Sequence, residues 1–197
     1  HITKFDNPDK TFAKSYYEGM RIGDIWGFEV AGLFATDEEA KQYTSEVLDC
    51  SYINGRMTGG FLAGDLKFID LDGDGVLGIG ANTVDKPGDR KILGNSLASL
   101  QYGFTVAFDY LGFDVSAFFQ GTGNHYWYPH GFNMNFWGCY SYSYVSFLQR
   151  DFIQRCWSEE NPDAYFPRPR SYSATGGELS KVNSMYLQNV RYLRFKN

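Results

Sequence analysis

Proline and cysteine are scarce, and positive charge is not in excess. The chain of 197 residues holds 6 Pro and 3 Cys, and its 18 Lys and Arg fall short of 23 Asp and Glu, for a net charge of −5. Cys50, Cys139 and Cys156 are an odd, widely spaced set that makes neither a disulfide framework nor a zinc pattern. No basic cluster reaches the density that phosphate neutralisation needs, which argues against a nucleic-acid partner. No apolar run approaches the ~18 residues of a spanning helix. The opening stretch His1 to Asp6 does not read as a signal peptide. One membrane architecture survives these exclusions. A transmembrane β-barrel hides its apolar residues in alternation, so a mean hydropathy of −0.38 does not reveal it.

What is abundant is rings. Phe, Tyr and Trp make up 18% of the residues while hydrophobic residues as a whole are 43%, so apolar character sits in aromatics rather than in aliphatic side chains. Such a chain is not disordered. Its length suits one domain with a core. Gly23 to Phe34 is a glycine-punctuated apolar stretch that reads as short extended segments. Thr36-Asp37-Glu38-Glu39 carries the capping-box signature and predicts a helix from Asp37 to about Leu48, its acidic first turn suiting the helix dipole. A glycine-rich loop follows over Asn54 to Gly64, then a short strand at Asp65 to Ile69. Another loop runs through Pro87 to about Ser99.

Gln101 to Tyr110 alternates without a break. Tyr102, Phe104, Val106, Phe108 and Tyr110 lie on one face, and Gln101, Gly103, Thr105, Ala107 and Asp109 on the other. After Leu111-Gly112 the alternation resumes with Phe113, Val115, Ala117 and Phe119, which predicts a β-hairpin. An apolar sheet face packs on a core in water, or points to lipid in an outer membrane, and alternation alone does not choose. Two details lean towards lipid: the apolar face begins and ends in Tyr, and ten residues match the ~9–11 of a tilted spanning strand. Residues 121–180 are too long for an idle loop and are expected to be functional or to hold their own small structure. Leu187 to Phe195 reads as one further strand.

Asp70-x-Asp72-x-Asp74-Gly75 opens like a calcium loop, with the Val76 carbonyl completing one side. The bidentate glutamate of an EF-hand is absent, because that position is Ala81 and the flanks are β-like. A looser calcium site recruiting Asp85 or Asp89 stands beside a solvated Asp/Gly turn. His125 and His130 lack metal-ligand spacing. Cys139 and Cys156 either pair across the long segment or remain free thiols. The scattered acids single out no glycosidase pair, so a hydrolase is the weakest reading. The ring cluster Tyr126, Trp127, Tyr128, Phe136 and Trp137, with Tyr140, Tyr142 and Tyr144 after it, is a candidate surface for stacking on sugars or contacting a protein partner, against the plainer reading that these rings pack the loop on itself.

Several blocks in order resemble a known family. Gly23-Asp24-Ile25-Trp26-Gly27-Phe28, Gly32-Leu33-Phe34-Ala35-Thr36-Asp37-Glu38-Glu39-Ala40 and Gly64 through Val76 are similar to stretches of the SusC/RagA-type TonB-dependent outer-membrane receptors. So are Pro87 through Asn95, Tyr102-Gly103-Phe104, Gly112 through Gly121, Glu160 through Arg168, Tyr186 through Asn189 and Tyr192 through Asn197. The resemblance implies an all-β fold, part of a large 22-stranded antiparallel transmembrane barrel with long extracellular loops and a short helix. It implies a piece of the C-terminal half, with signal peptide, TonB box and plug upstream, and further strands beyond Asn197. Residues 20–100 would be mostly extracellular loop, 101–120 a transmembrane hairpin, 121–180 extracellular loop and 186–197 a strand. The implied function is import of oligosaccharides or peptides across the bacterial outer membrane, driven by TonB and lidded by a SusD-type lipoprotein. The alternative is a soluble extracellular carbohydrate-binding β-module with a structural calcium site.

Overall fold

The computed structural model describes all residues except 48, 55–58, 143, 145, 146 and 197, with only the backbone of Asn54. Leu48 at the end of the predicted first helix, part of the predicted 54–64 loop, and Asn197 at the end of the last predicted strand lie outside the described residues. The elements in order are β1 (Asp24–Phe28), β2 (Val30–Leu33), α1 (Asp37–Glu46), α2 (Ser51–Asn54), β3 (Leu66–Phe68) and β4 (Arg90–Asn95). They continue with β5 (Gln101–Tyr110), β6 (Phe113–Thr122), β7 (Tyr126–Trp127), α3 (Met134–Trp137), α4 (Ser173–Gly176), β8 (Gln188–Asn189) and β9 (Tyr192–Phe195).

The predicted hairpin is present in full register. β5 and β6 pair antiparallel from Gln101↔Thr122 to Tyr110↔Phe113, and β9 adds to the far side of β6 from Phe119↔Phe195 to Thr122↔Tyr192. The two-residue turn holds Leu111 at φ 49° and Gly112 at φ 84°, the primed geometry whose twist matches a tight hairpin. Across the strands, Gly121 sits under Tyr102, where an added Cβ would meet the ring at 2.3 Å. Directly opposed residues share a face, so the period of two extends through all three strands.

The last strand departs from expectation. Leu187 to Phe195 is not one strand but two, β8 and β9, interrupted at Val190 and Arg191. The Asn189 side chain accepts the Arg191 amide at 3.2 Å and turns the chain there, a local bond that alternation does not register. β8 pairs with β7, Tyr126↔Asn189 and Trp127↔Gln188, so the β6–β9 pairing resumes after a short gap. The excursion from 128 to 187 therefore leaves and re-enters between neighbouring strands, at the opposite end of the sheet from the Leu111-Gly112 turn.

At that same end the segments expected to be mostly loop build a packed body. β1 pairs with β4 and β2 with β3, both antiparallel and each with a register shift. The box at α1 forms: Thr36 Oγ1 accepts the Glu39 amide at 3.1 Å, and Glu39 Oε2 accepts the Ala35 amide at 2.8 Å, one residue before the usual partner. One core gathers Phe28, Phe34, Ile53, Phe61, Leu66 and Phe68 from the first part of the chain. Trp137, Tyr140, Phe152, Phe166, Leu179 and Tyr186 come from the second. Trp137, read from sequence as a contact ring, is core and meets Tyr186 edge to face at 5.2 Å, as Phe28 meets Phe68 at 6.0 Å. The described residues form no closed barrel. Their largest sheet is the three-stranded β5-β6-β9.

Candidate functional site

Three features stand out. The first is the β5-β6-β9 sheet. One face carries Tyr102, Phe104, Val106, Phe108 and Tyr110, opposed by Phe113, Val115, Ala117 and Phe119, and continued by Phe195 and Leu193. The other carries Gln101, Thr105, Ala107, Asp109, Asp114, Ser116, Gln120 and Arg194, with Phe118 and Tyr192 the ring-bearing exceptions. Phe108 is 56% exposed, Phe113 72% and Phe195 66%. No described residue covers this apolar face, and a contiguous apolar surface of this kind is a contact for another phase or another molecule. Both outer edges of the sheet, on β5 and β9, have no strand partner among the described residues.

The second feature is the acidic turn. Asp70 bonds the turn internally, its Oδ1 accepting the Gly73 amide at 2.6 Å and its Oδ2 the Gly75 amide at 2.9 Å. Carboxylate oxygens of Asp70, Asp72 and Asp89 lie within 4.8 Å of one another. Asp74 is not in this set. Its Oδ1 accepts the Val76 amide at 2.7 Å, and the residues on either side of Val76 bond Asp49, whose amide donates to the Gly75 carbonyl at 3.3 Å and whose carbonyl accepts the Leu77 amide at 2.8 Å. Asp85 lines the adjacent cleft of about 450 Å³ with Asp72, Asp74, Lys86 and Arg90 but stays outside the three-carboxylate set. The buried member is Asp89, which accepts the amides of Leu71 at 2.7 Å and Gly78 at 2.8 Å. Burial pushes its carboxyl up, against those two bonds, with Asp70 and Asp72 adding to the rise. The donor set suits a hard, oxygen-seeking cation such as calcium, and the turn holds its shape through backbone bonds as well.

The third feature is the aromatic excursion. Trp137 is fully buried, its indole donating to the Pro129 carbonyl at 3.1 Å. The Tyr128 hydroxyl donates towards the carbonyls of Leu179 at 2.9 Å and Lys181 at 2.8 Å and accepts from Asn183. Burial raises its phenol well above the ordinary value. Phe136 is half-buried between Trp137 and Phe166. Tyr126 is half-buried and lies across Gly94, beside a cleft of about 320 Å³ that Arg21, Asp24 and Asn95 also line. Of the five rings Tyr126, Trp127, Tyr128, Phe136 and Trp137, only Trp127 is largely exposed, at 45%. Tyr144, read from sequence with the ring cluster, is exposed and contacts the half-buried Tyr142. Sequence reasoning passed over Phe132, exposed and stacked on His130 at 5.3 Å, and Tyr172, exposed and in ring contact with Tyr142. Phe147 is almost wholly exposed. Nothing local separates these rings from the buried ones.

His125 and His130 bond nearby backbone and share no ligand geometry, and Cys50, Cys139 and Cys156 are free thiols. Among the described residues Asp70, Asp72 and Asp89 are the one set spaced to hold an ion.

No family model matches the chain. Two curated proteins of Formosa agariphila are similar to it. TonB-dependent receptor P26 is 29% identical over 136 residues, 68% of this chain, and TonB-dependent receptor P3 is 24% identical over 180 residues, 91% of this chain. The chain spans only 12% and 15% of the lengths of these relatives. Both similarities support kinship with TonB-dependent receptors at the family level.

Proposed function

We propose that this chain is part of a TonB-dependent transporter of the bacterial outer membrane, of the SusC/RagA type, and contributes strands to the wall of its barrel. The observation that carries this reading is the β5-β6-β9 sheet: three strands with one continuous apolar face, the opposite face polar, and two open edges. A strand of ten residues rises ~33 Å, which at a tilt near 40° matches the ~25 Å apolar band of an outer-membrane barrel. Tyr102 and Tyr110 fall at the two ends of that band, where aromatic girdles form. The two-residue turn at one end and the long excursions at the other follow the barrel habit of short periplasmic turns and long outer loops. Closure to 22 strands requires chain beyond the described sheet.

In this reading residues 20–100 and 121–187 form the outward body. Its exposed rings, Trp127 with Phe132, Tyr144 and Phe147, are the contact surface for an incoming oligosaccharide or peptide or for a SusD-type lid. Asp70, Asp72 and Asp89 hold a calcium ion that staples the body's acidic turn. Transport, TonB coupling and the absence of enzymatic turnover belong to the whole protein and are part of the proposal. A soluble carbohydrate-binding module is the weaker reading, because it needs a protein layer over the apolar face.

The test is extraction. The protein is expected in the outer-membrane fraction and monodisperse only in detergent. A species that is monodisperse without detergent and protects Phe104 and Phe108 within protein would overturn the proposal.

A further inference from the structure

At the outward end of the β5-β6-β9 sheet, the apolar face carries an unpaired cation. The Gly123 amide donates to the Leu100 carbonyl at 2.8 Å, which extends the ladder one step past Gln101↔Thr122. Thr122 pairs with Tyr192 on the other side, so the next row across the sheet is Leu100, Gly123 and Arg191. That row lies two residues beyond Tyr102, Gly121 and Leu193 and shares their face. With glycine at 121 and 123 the middle strand presents no side chain there, and the Tyr102 ring lies over Gly121. A cleft of about 570 Å³ results, lined by Leu100 and Tyr102 on one side and by Arg191 and Leu193 on the other. No carboxylate lines it. The Arg191 side chain is exposed and has no hydrogen bond, ion pair or ring contact among the described residues.

In the barrel-wall reading, on which this assignment rests, depth decides what that cation meets. Leu100 stands five and a half positions from the hairpin centre between Thr105 and Val106. At ~2.5 Å per residue along the membrane normal, its row lies ~14 Å from the midplane. Half of the ~25 Å apolar band is ~12.5 Å, so the row falls just past the hydrocarbon edge. Tyr102 and Leu193, at ~9 Å, fall inside it. A guanidinium in hydrocarbon is costly, and its long stem carries it outward to the interface. At that level it stands among lipid phosphates, whose oxygens its planar fork matches in pairs.

We propose that this cleft holds the headgroup of an anionic, phosphate-bearing lipid, anchored by Arg191, with an acyl chain laid along Tyr102 and Leu193. The cation supplies the selectivity, and the two apolar side chains hold the chain of the same molecule against the wall.

Photo-crosslinking tests this. The full-length protein is reconstituted in phosphatidylcholine bilayers holding a trace of lipid with a diazirine acyl chain, either phosphatidylglycerol or phosphatidylcholine. Labelled residues are mapped by mass spectrometry. Phosphatidylglycerol is expected to label Leu100, Tyr102 and Leu193 at least about fivefold more than phosphatidylcholine does. Phe104, Val106 and Phe108, deeper on the same face, are expected to take both labels alike. Arg191→Gln should bring the ratio at the cleft to about one, while Arg194→Gln, on the polar face, should leave it unchanged. A wild-type ratio near one, a ratio that survives Arg191→Gln, or an equal loss in Arg194→Gln would overturn the headgroup site alone. Absence of both labels from Phe104 to Phe108 in the wild type would overturn the barrel wall and the site with it. Labelling of Phe104 to Phe108 in Arg191→Gln reports that the variant is folded, and if it is lost Arg191→Ala takes its place under the same expectation.

Discussion

Placing an arginine at the middle of the apolar sheet face separates a lipid contact from every other cover. β5 and β6 pair over ten positions, so the centre of the hairpin falls between Thr105 and Val106. With a rise of ~3.3 Å per residue and a tilt near 40°, each residue moves ~2.5 Å along the membrane normal. Val106 then lies within ~2 Å of the bilayer midplane on the lipid side, opposite the small Ala117. Tyr110 lies ~11 Å from the midplane on the same side, and Ala107 only ~4 Å from it on the other side, opposite Ser116. Val106→Arg should cost ~2–4 kcal/mol, Tyr110→Arg ~0–1, and Ala107→Arg about as little as Tyr110→Arg because it points away from lipid. Equilibrium folding of the full-length protein into lipid vesicles under urea measures all three. A protein core over the same face would penalise charge by packing rather than by depth. If Val106→Arg costs no more than Tyr110→Arg, or Ala107→Arg costs as much as Val106→Arg, the lipid assignment fails.

Three further outcomes follow from the packed body. Gly64→Ala should destabilise by ~2–5 kcal/mol, since φ is +83° there and a Cβ would stand 2.4 Å from the Trp157 ring. A double-mutant cycle with Trp157→Ala should show strong coupling, and additive costs would refute the clash. Thr36→Ala should cost ~1 kcal/mol by chemical denaturation through loss of the cap on α1. Millimolar calcium should raise the melting temperature and Asp72→Asn should abolish the rise, so a melting curve blind to calcium removes the ion from the acidic turn.

The hairpin was legible because each part of its evidence is local. The side-chain period of two is a property of the strand itself, so Gln101 to Phe119 announces a face, a register and a turn within twenty residues of sequence. The cap at Thr36 was legible for the same reason. The last strand was not, because a single side-chain bond from Asn189 breaks it. In the acidic turn the spacing of Asp70 and Asp72 was readable and Asp89 stood beside Asp85 as a recruit, but nothing local showed that Asp89 would replace Asp74 in the set. That choice depends on how the following loop returns to bury Asp89 against the amides of Leu71 and Gly78.

Local pattern is enough to specify a two-faced β-hairpin, a capped helix and an excess of rings over aliphatic side chains. Which of those rings are core is fixed by packing between distant segments. Trp127 and Trp137 stand ten residues apart in one aromatic-rich segment, yet the first is 45% exposed and the second fully buried. The difference comes from Tyr186, Tyr128 and the Pro129 carbonyl, which close around Trp137, and Tyr186 lies far along the chain. The same holds for Asp65 and Arg170, unremarkable residues in sequence that folding brings together as an ion pair from positions 105 residues apart. Burial is set by long-range contact, and composition carries no record of it.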